Sequence, residues 1–273
     1  ELARRARITL RLDHDLSGFY ALCRMDARLR AIPKYGVGRL IRGTTLFEDT
    51  VKAIAWTNTT WTQAVKMISS ARRPILLGGD EIYSTMTQHL FINLGEALRC
   101  PVFTTFAASG ALPQSHPQWL SYASAVGAAA ISESDLVLVV GSCIPENVNY
   151  GRQRPFAPGN DQRRWIVLEQ DASAVGVNRT VDLAIIGRLP EILPQLIDAI
   201  DRNITNCSIT DIEAKRATFE KEREVAIASV PWGEPIHPNR LMLEAREAVP
   251  DDAVIVTDVG FTVVYQHDFF EKR

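Results

Sequence analysis

Two kinds of apolar pattern alternate between residues 60 and 201. Short, largely apolar runs at Ile75–Leu77, Val102–Phe106, Leu136–Val140, Trp165–Leu168 and Val181–Ile186 alternate with stretches whose apolar residues recur every three or four positions. The first pattern is that of a strand buried on both faces, the second that of an amphipathic helix. Trp61, Val65, Ile68 and Ala71 mark the first helical stripe, and Thr60 and Gln63 have the spacing of a capping box before it. Leu90, Phe91, Leu94, Ala97 and Leu98 mark the second, Gly127–Ser132 suits a third, and Ile192, Leu193, Leu196, Ile197 and Ile200 mark the last. Five strands separated by helices predict an α/β fold: a doubly wound parallel sheet of five to six strands with helices on both faces.

The flanking regions read differently. Residues 1–59 give no clear periodicity; Arg24–Arg30 is loosely helical, and Gly36-Val37-Gly38 opens a glycine motif whose third position is Ile41, so a flexible turn outweighs a dinucleotide fingerprint. Residues 202–236 form a connector around the charged stretch Asp211–Glu224, which predicts a solvated helix. A last unit spans 237–273, with a helix at Pro238–Val249, a strand at Ala253–Thr257 and then Asp258-Val259-Gly260. One helix and one strand bury no core, so the expectation is a domain begun and not finished. The first residue is Glu rather than Met, which suggests a processed product or a piece of something longer.

Charge excludes some classes of function. Thirty Lys and Arg stand against 32 Asp and Glu, a net charge of −2, so no excess of one sign draws in nucleic acid or an anionic membrane. No apolar stretch approaches a bilayer span. Cys23, Cys100, Cys143 and Cys207 form no CxxC pair, and a chain of 273 residues needs no disulfide staples. The expected setting is the cytoplasm. A mitochondrial or plastid matrix is the alternative, because residues 1–12 are Arg-rich, although Glu1, Asp13 and Asp15 count against a targeting segment.

In a doubly wound sheet, ligands lie beyond the carboxyl ends of the strands. That edge carries Gly78 and Gly79, the loop containing Ser109 and Gly110, the pair Gly141 and Ser142, and Asp171. Glycine there lets backbone N–H groups approach a phosphate, and a carboxylate accepts from ribose hydroxyls. The same glycines equally serve to turn the chain from strand to helix, and both readings stand. His116, in a Pro-flanked loop, reads as a structural hydrogen-bonding residue before a ligand contact. Cys143 reads as a buried, inert thiol, having no base at fixed spacing.

The order of these motifs resembles a known family. Arg73–Gly79 (RPILLGG), Cys100–Thr105 (CPVFTT), Gly110–Pro113 (GALP) with His116-Pro117, and Ser134–Gly141 (SDLVLVVG) come in sequence. Leu168–Asp171 (LEQD), Val175–Arg179 (VGVNR), His237–Arg240 (HPNR) and Val254–Gly260 (VIVTDVG) follow. Over roughly residues 60–265 this resembles the central domain, with the start of the diphosphate-binding domain, of thiamine-diphosphate-dependent enzymes of the acetolactate synthase, benzoylformate decarboxylase and pyruvate oxidase group.

The resemblance implies thiamine diphosphate and Mg²⁺ as the parent family's cofactors, a 2-oxo acid substrate, lyase or transferase chemistry, and a homo-oligomer or a subunit of a larger assembly. It implies a central domain that is chiefly structural and in some members holds FAD, ADP or a coenzyme A portion. FAD is the less expected of these, because Gly141-Ser142-Cys143 stands where flavin-using members carry an alanine and an arginine. Asp258, Gly260 and Thr262 are the positions that match the edge of the family's diphosphate site, with apolar Phe261 where a polar residue is usual. The chain has no Gly-Asp-Gly, no Asn-Asn pair and no His-Glu, which the family's metal site and first domain would carry. No catalytic or metal-ligating residue is therefore assigned. Three readings follow: part of a full 2-oxo acid decarboxylase or carboligase, inactive by itself; a non-catalytic structural subunit descended from such enzymes; or a free-standing nucleotide-binding module.

Overall fold

The computed structural model describes residues 10–36, 61–157, 162–200, 209–258 and 260–270, with Arg4 and Arg7. Thr60, the Val37–Ile41 part of the glycine motif, Cys207 and Val259 lie outside them. The chain divides into two compact units, Glu1–Thr59 and Thr60–Arg273.

In the first unit, helix α1 (Ser17–Met25) begins where Asp15 accepts from the Ser17 amide and hydroxyl, at 2.9 and 2.8 Å. It stops at Asp26, whose carboxylate accepts from the Arg28 amide and guanidinium. The expected helical character of 24–30 is thus broken in the middle, because Asp26 offers the backbone a turn instead. Helix α2 (Ala31–Tyr35) ends at Gly36, in the left-handed region at φ 64°.

The second unit contains the sheet. Helix α3 (61–70) leads into β1 (Pro74–Gly78), followed by α4 (Glu81–Ser84), α5 (Gln88–Leu98) and β2 (Val102–Thr104). Then come α6 (Ala125–Glu133), β3 (Leu136–Val140), β4 (Arg164–Glu169), β5 (Leu183–Ile186) and α7 (Leu189–Ala199). The five strands pair in parallel in the order β2-β1-β3-β4-β5. This is the doubly wound parallel sheet that the alternating patterns predict, with helices around it. Each of the five strands expected between residues 60 and 201 is present, although β2 stops at Thr104 because Thr105 leads into a 3-10 turn at Phe106–Ala108.

Acidic side chains align the starting ends of the strands. Asp135 accepts from the Arg72 and Arg73 amides at 2.7 and 2.9 Å, which closes α3 and sets β1 beside β3. Asp182 accepts from the Trp165 amide at 2.8 Å and does the same for β4 and β5. Buried Arg163 donates to the carbonyls of Ile131, Ser132, Ser134 and Phe156, satisfying the last turn of α6. All of β1 and β3 is buried, and the core gathers Phe91, Leu94, Leu98, Ile131, Trp165, Leu193 and Leu196 around them. Each large side chain so removed from water contributes roughly 1.5–3 kcal/mol.

Two expectations change past residue 208. Helix α8 (Ile209–Ala228) is charged, as expected, but is not a free connector. Ile212 and Phe219 are buried, Phe219 meets the Trp119 ring edge-on with centroids 5.4 Å apart, and Arg216 donates to the Trp119 carbonyl. A stripe of only two large apolar residues is enough to seat it against α6. Helix α9 (Pro238–Ala248) forms as expected, capped by His237, whose Nδ1 accepts from the Asn239 amide. Residues 253–257, expected as a strand, pair with no described strand, and α10 (Phe261–Phe269) follows them.

Candidate functional site

Winding reverses between β1, whose connection runs outward to β2, and β3, which lies on the other side of β1. The crest beyond their carboxyl ends is therefore the expected ligand position. The structure brings Gly78, Gly79, Gly141 and Ser142 together there. A Cβ on Gly79 would overlap the Gly141 carbonyl and the Ser142 side chain, so only glycine lets the two strand exits cross. Gly141 takes the left-handed conformation, φ 59°, and a Cβ there would lie 2.5 Å from the Glu81 Cβ.

The two glycine amides at this crest, and that of Glu81, are already committed. Gly79 N–H donates to the Val140 carbonyl at 2.9 Å, Gly141 N–H to Leu168 at 2.8 Å, and Glu81 N–H to Gly141 at 3.2 Å. Ser142 Oγ accepts from the Ile144 amide at 3.1 Å. The glycines that would cradle a phosphate thus spend their donors on holding the strand ends together.

What fills the crest is acidic. Glu169, the last residue of β4, is only 3% exposed. Its Oε1 accepts from the Gln170 and Asp171 amides, at 3.0 and 3.4 Å. Burial, then the Glu81 carboxyl, pushes Glu169 up to about 7. Glu81 Oε2 also accepts from the Gln170 amide at 3.4 Å. Among the described residues no Lys or Arg is ion-paired to either carboxylate. The sequence reading passed over Glu81. Its signal is an acid placed directly after Gly78-Gly79-Asp80, where the chain turns at a strand tip.

The other candidates are dispersed. Asp171 is exposed; its carboxylate accepts from the Ser173 amide at 2.8 Å, caps the 3-10 turn Ala172–Ala174, and is held below the usual carboxylate range by that Ser173 contact. Ser109 and Gly110 sit beyond β2, tied to α4 where Tyr83 donates its hydroxyl to the Ser109 carbonyl at 2.9 Å. Asp258 and Gly260 are exposed on the stretch between α9 and α10, and Thr262 is exposed in the first turn of α10. His116 makes a structural bond, its Nδ1 accepting from the Gln118 amide at 3.3 Å. Cys143 is exposed rather than buried; partial burial, then Asp80, raises its thiol, so the nucleophilic thiolate is disfavoured. Away from the crest, an apolar cavity of about 390 Å³ lies between α6 and α8, lined by Trp119, Ala125, Phe219, Ala226 and Phe269 among others.

Neither cofactor class finds a ready cradle in this geometry. Among the described residues no group of three or more His, Cys, Asp or Glu is placed to hold a metal ion, and a diphosphate at Gly79 and Gly141 would meet spent amides and two carboxyls.

A five-stranded parallel sheet with a reversal crest defines a doubly wound α/β domain. Comparison with known proteins specifies it: residues 61–196 match the thiamine pyrophosphate enzyme central domain, and this part of the chain belongs to that family. The chain is 25% identical over 225 residues to a probable acetolactate synthase large subunit of Methanocaldococcus jannaschii, covering 77% of this chain and 36% of that protein. It is 34% identical over 140 residues to an acetolactate synthase of Mycobacterium bovis, covering 50% of this chain and 22% of that protein. With an acetolactate synthase of Mycobacterium leprae it shares 33% identity over 204 residues, covering 72% of this chain and 32% of that protein. The chain thus spans about a third of the first relative's length or less. No helix among the described residues is long and apolar enough to cross a membrane.

Proposed function

We propose that this chain supplies the central domain of a thiamine-diphosphate-dependent enzyme that decarboxylates or ligates 2-oxo acids, with acetolactate-forming chemistry as the leading case. The observation that carries the reading is the family match over residues 61–196, joined to the likeness to acetolactate synthases. In this reading residues 60–201 are the central domain, 202–236 the connector and 237–273 the opening of a diphosphate-binding unit, with 1–59 unassigned. Thiamine diphosphate would supply a carbanion that attacks the 2-oxo acid and then acts as electron sink. Mg²⁺ and the diphosphate would be held by residues outside 61–196, with Asp258, Gly260 and Thr262 contributing at most one wall.

The chain's own contribution is a rigid platform. Asp135, Asp182 and Arg163 fix the sheet ends, and the Gly79–Gly141 crossing fixes the crest. An ADP- or coenzyme A-type ligand at the crest would have to use Ser142 and Asp171, with Gly78 and the Ser109-Gly110 loop alongside; FAD is the weakest of the three. Free Cys23 and Cys143 suit a reducing compartment such as the cytoplasm or an organelle matrix. An oligomeric assembly fits a family in which a central domain works beside others.

The test is to incubate the purified chain with thiamine diphosphate, Mg²⁺ and pyruvate and follow carbon dioxide. The expected result is no turnover above free thiamine diphosphate from the chain alone, and turnover when the other family domains are added. Turnover by the chain alone that Asp258→Ala abolishes would overturn this division of labour. No turnover even with the added domains would favour the non-catalytic structural subunit.

A further inference from the structure

We propose that Glu81 and Glu169 form a proton-sharing latch that ties the turn after β1 to the end of β4 across the tip of β3, and that loss of the shared proton loosens this crest. The inference stands independently of the catalytic reading above.

The geometry starts from one shared donor: the Gln170 amide is accepted by Glu169 Oε1 at 3.0 Å and by Glu81 Oε2 at 3.4 Å, so the two carboxyl groups converge on a single N–H. One N–H cannot neutralise two carboxylates, and a proton held between them turns their repulsion into a hydrogen bond. Burial of Glu169 makes the alternative, two adjacent charges in a site 3% exposed, costly. The charged and titratable groups facing the pair add no relief. Asp80 precedes Glu81 in the same turn, Asp171 lies just beyond β4, and the Cys143 thiol stands in the loop after β3, where Asp80 and Glu169 both act on it. Only the Gln170 and Asp171 amides favour the ionised form of Glu169. Gly141 completes the arrangement, since its missing Cβ is what lets Glu81 settle on the β3 exit.

A shared proton has a defined thermodynamic consequence. Glu169 has an ordinary glutamate value of 4.5 in the unfolded chain and is pushed up to about 7 in the folded one. Between those values the folded state binds the extra proton. The latch's contribution to stability is therefore full at the acid end, declines as pH rises through the window, and is gone above it. The limiting slope is about a tenfold rise in the unfolding constant per pH unit. A crest whose glycine amides are spent and whose acid pair holds a proton is poorly suited to receive a phosphate, and is worse suited once both groups ionise, because two carboxylates repel an anion.

Two measurements on the full chain test this. Urea unfolding is followed from pH 5 to 8.5 for wild type, Glu169→Gln and Glu81→Gln. Glutamine keeps a donor in place but cannot titrate, so the expected slope of Glu169→Gln is lower than wild type by close to one proton between pH 5 and 7, and that of Glu81→Gln falls between the two, because burial still raises Glu169. The second measurement, infrared spectroscopy of native wild type, needs no variant to fold. The expected spectrum has a protonated carboxyl carbonyl band at pH 6 that disappears by pH 8.5. Equal slopes in wild type and in whichever variants fold would overturn the latch, and so would the absence of that band at pH 6.

Discussion

Leu136–Val140 and Ala253–Thr257 are nearly interchangeable on paper: LVLVV and AVIVT, five residues each, apolar and β-branched, each preceded by Asp and followed closely by glycine. In the structure they have opposite fates. Every residue of the first is buried between β1 and β4. In the second, Val254 and Val256 are each 90% exposed and no described strand pairs with them. Strand propensity is identical in kind, so the difference lies in the neighbours. β3 has a hydrogen-bonding edge on each side; among the described residues no strand offers 253–257 such an edge. A strand is thus a property of a sheet, and a five-residue apolar run only nominates one.

The sharpest way to break this comparison is to truncate matched side chains. Leu138→Ala, at the centre of β3, should cost about 2–5 kcal/mol, whereas Val254→Ala should stay within about 0.5 kcal/mol, both read from urea midpoints at constant slope. Equal losses would mean that 253–257 is packed in solution.

A smaller effect is expected where α8 meets the central domain. Phe219→Ala removes the ring set against Trp119 and should cost roughly 2–4 kcal/mol; a loss under about 0.5 kcal/mol would restore the solvated connector that the charge pattern suggested. Arg163→Met should fall in a similar range, about 1–3 kcal/mol, because it strands the carbonyls at the end of α6. Thermal melts of the two variants would show whether the core and the α8 seat are lost together.

The smallest expected change is at a cap. Ser124 Oγ accepts from the Gly127 amide at 3.0 Å and donates to the Ser121 carbonyl at 2.7 Å. Ser124→Ala should cost about 1 kcal/mol, with amide exchange faster only in the first turn of α6. Protection lost across the sheet would show that this cap holds more than one helix.

Much of the central domain was legible because its signals are local. Ile75–Leu77, Leu136–Val140 and Trp165–Leu168 are too apolar for a surface, and the amphipathic stripes between them have the helical period. The family resemblance was legible for the same reason, since motif order survives without knowledge of contacts. The crest was legible only as a place. Gly79 and Gly141 stood out as glycines at strand ends, but whether their amides face a ligand or a neighbouring strand depends on which strands lie side by side. Glu81 and Glu169 are 88 positions apart in the chain, and only the order β1-β3-β4 makes them touch.

The sequence alone thus determined the alternation of buried strands and amphipathic helices, the positions of the breaks between them, and the family, because each is written in nearest-neighbour pattern or in motif order. Tertiary structure decided which apolar run became a strand, which face of the charged helix was buried, and that two glutamates meet at the strand tips. Those outcomes depend on desolvation and on hydrogen-bond partners brought from distant parts of the chain, and neither is set before the sheet is assembled.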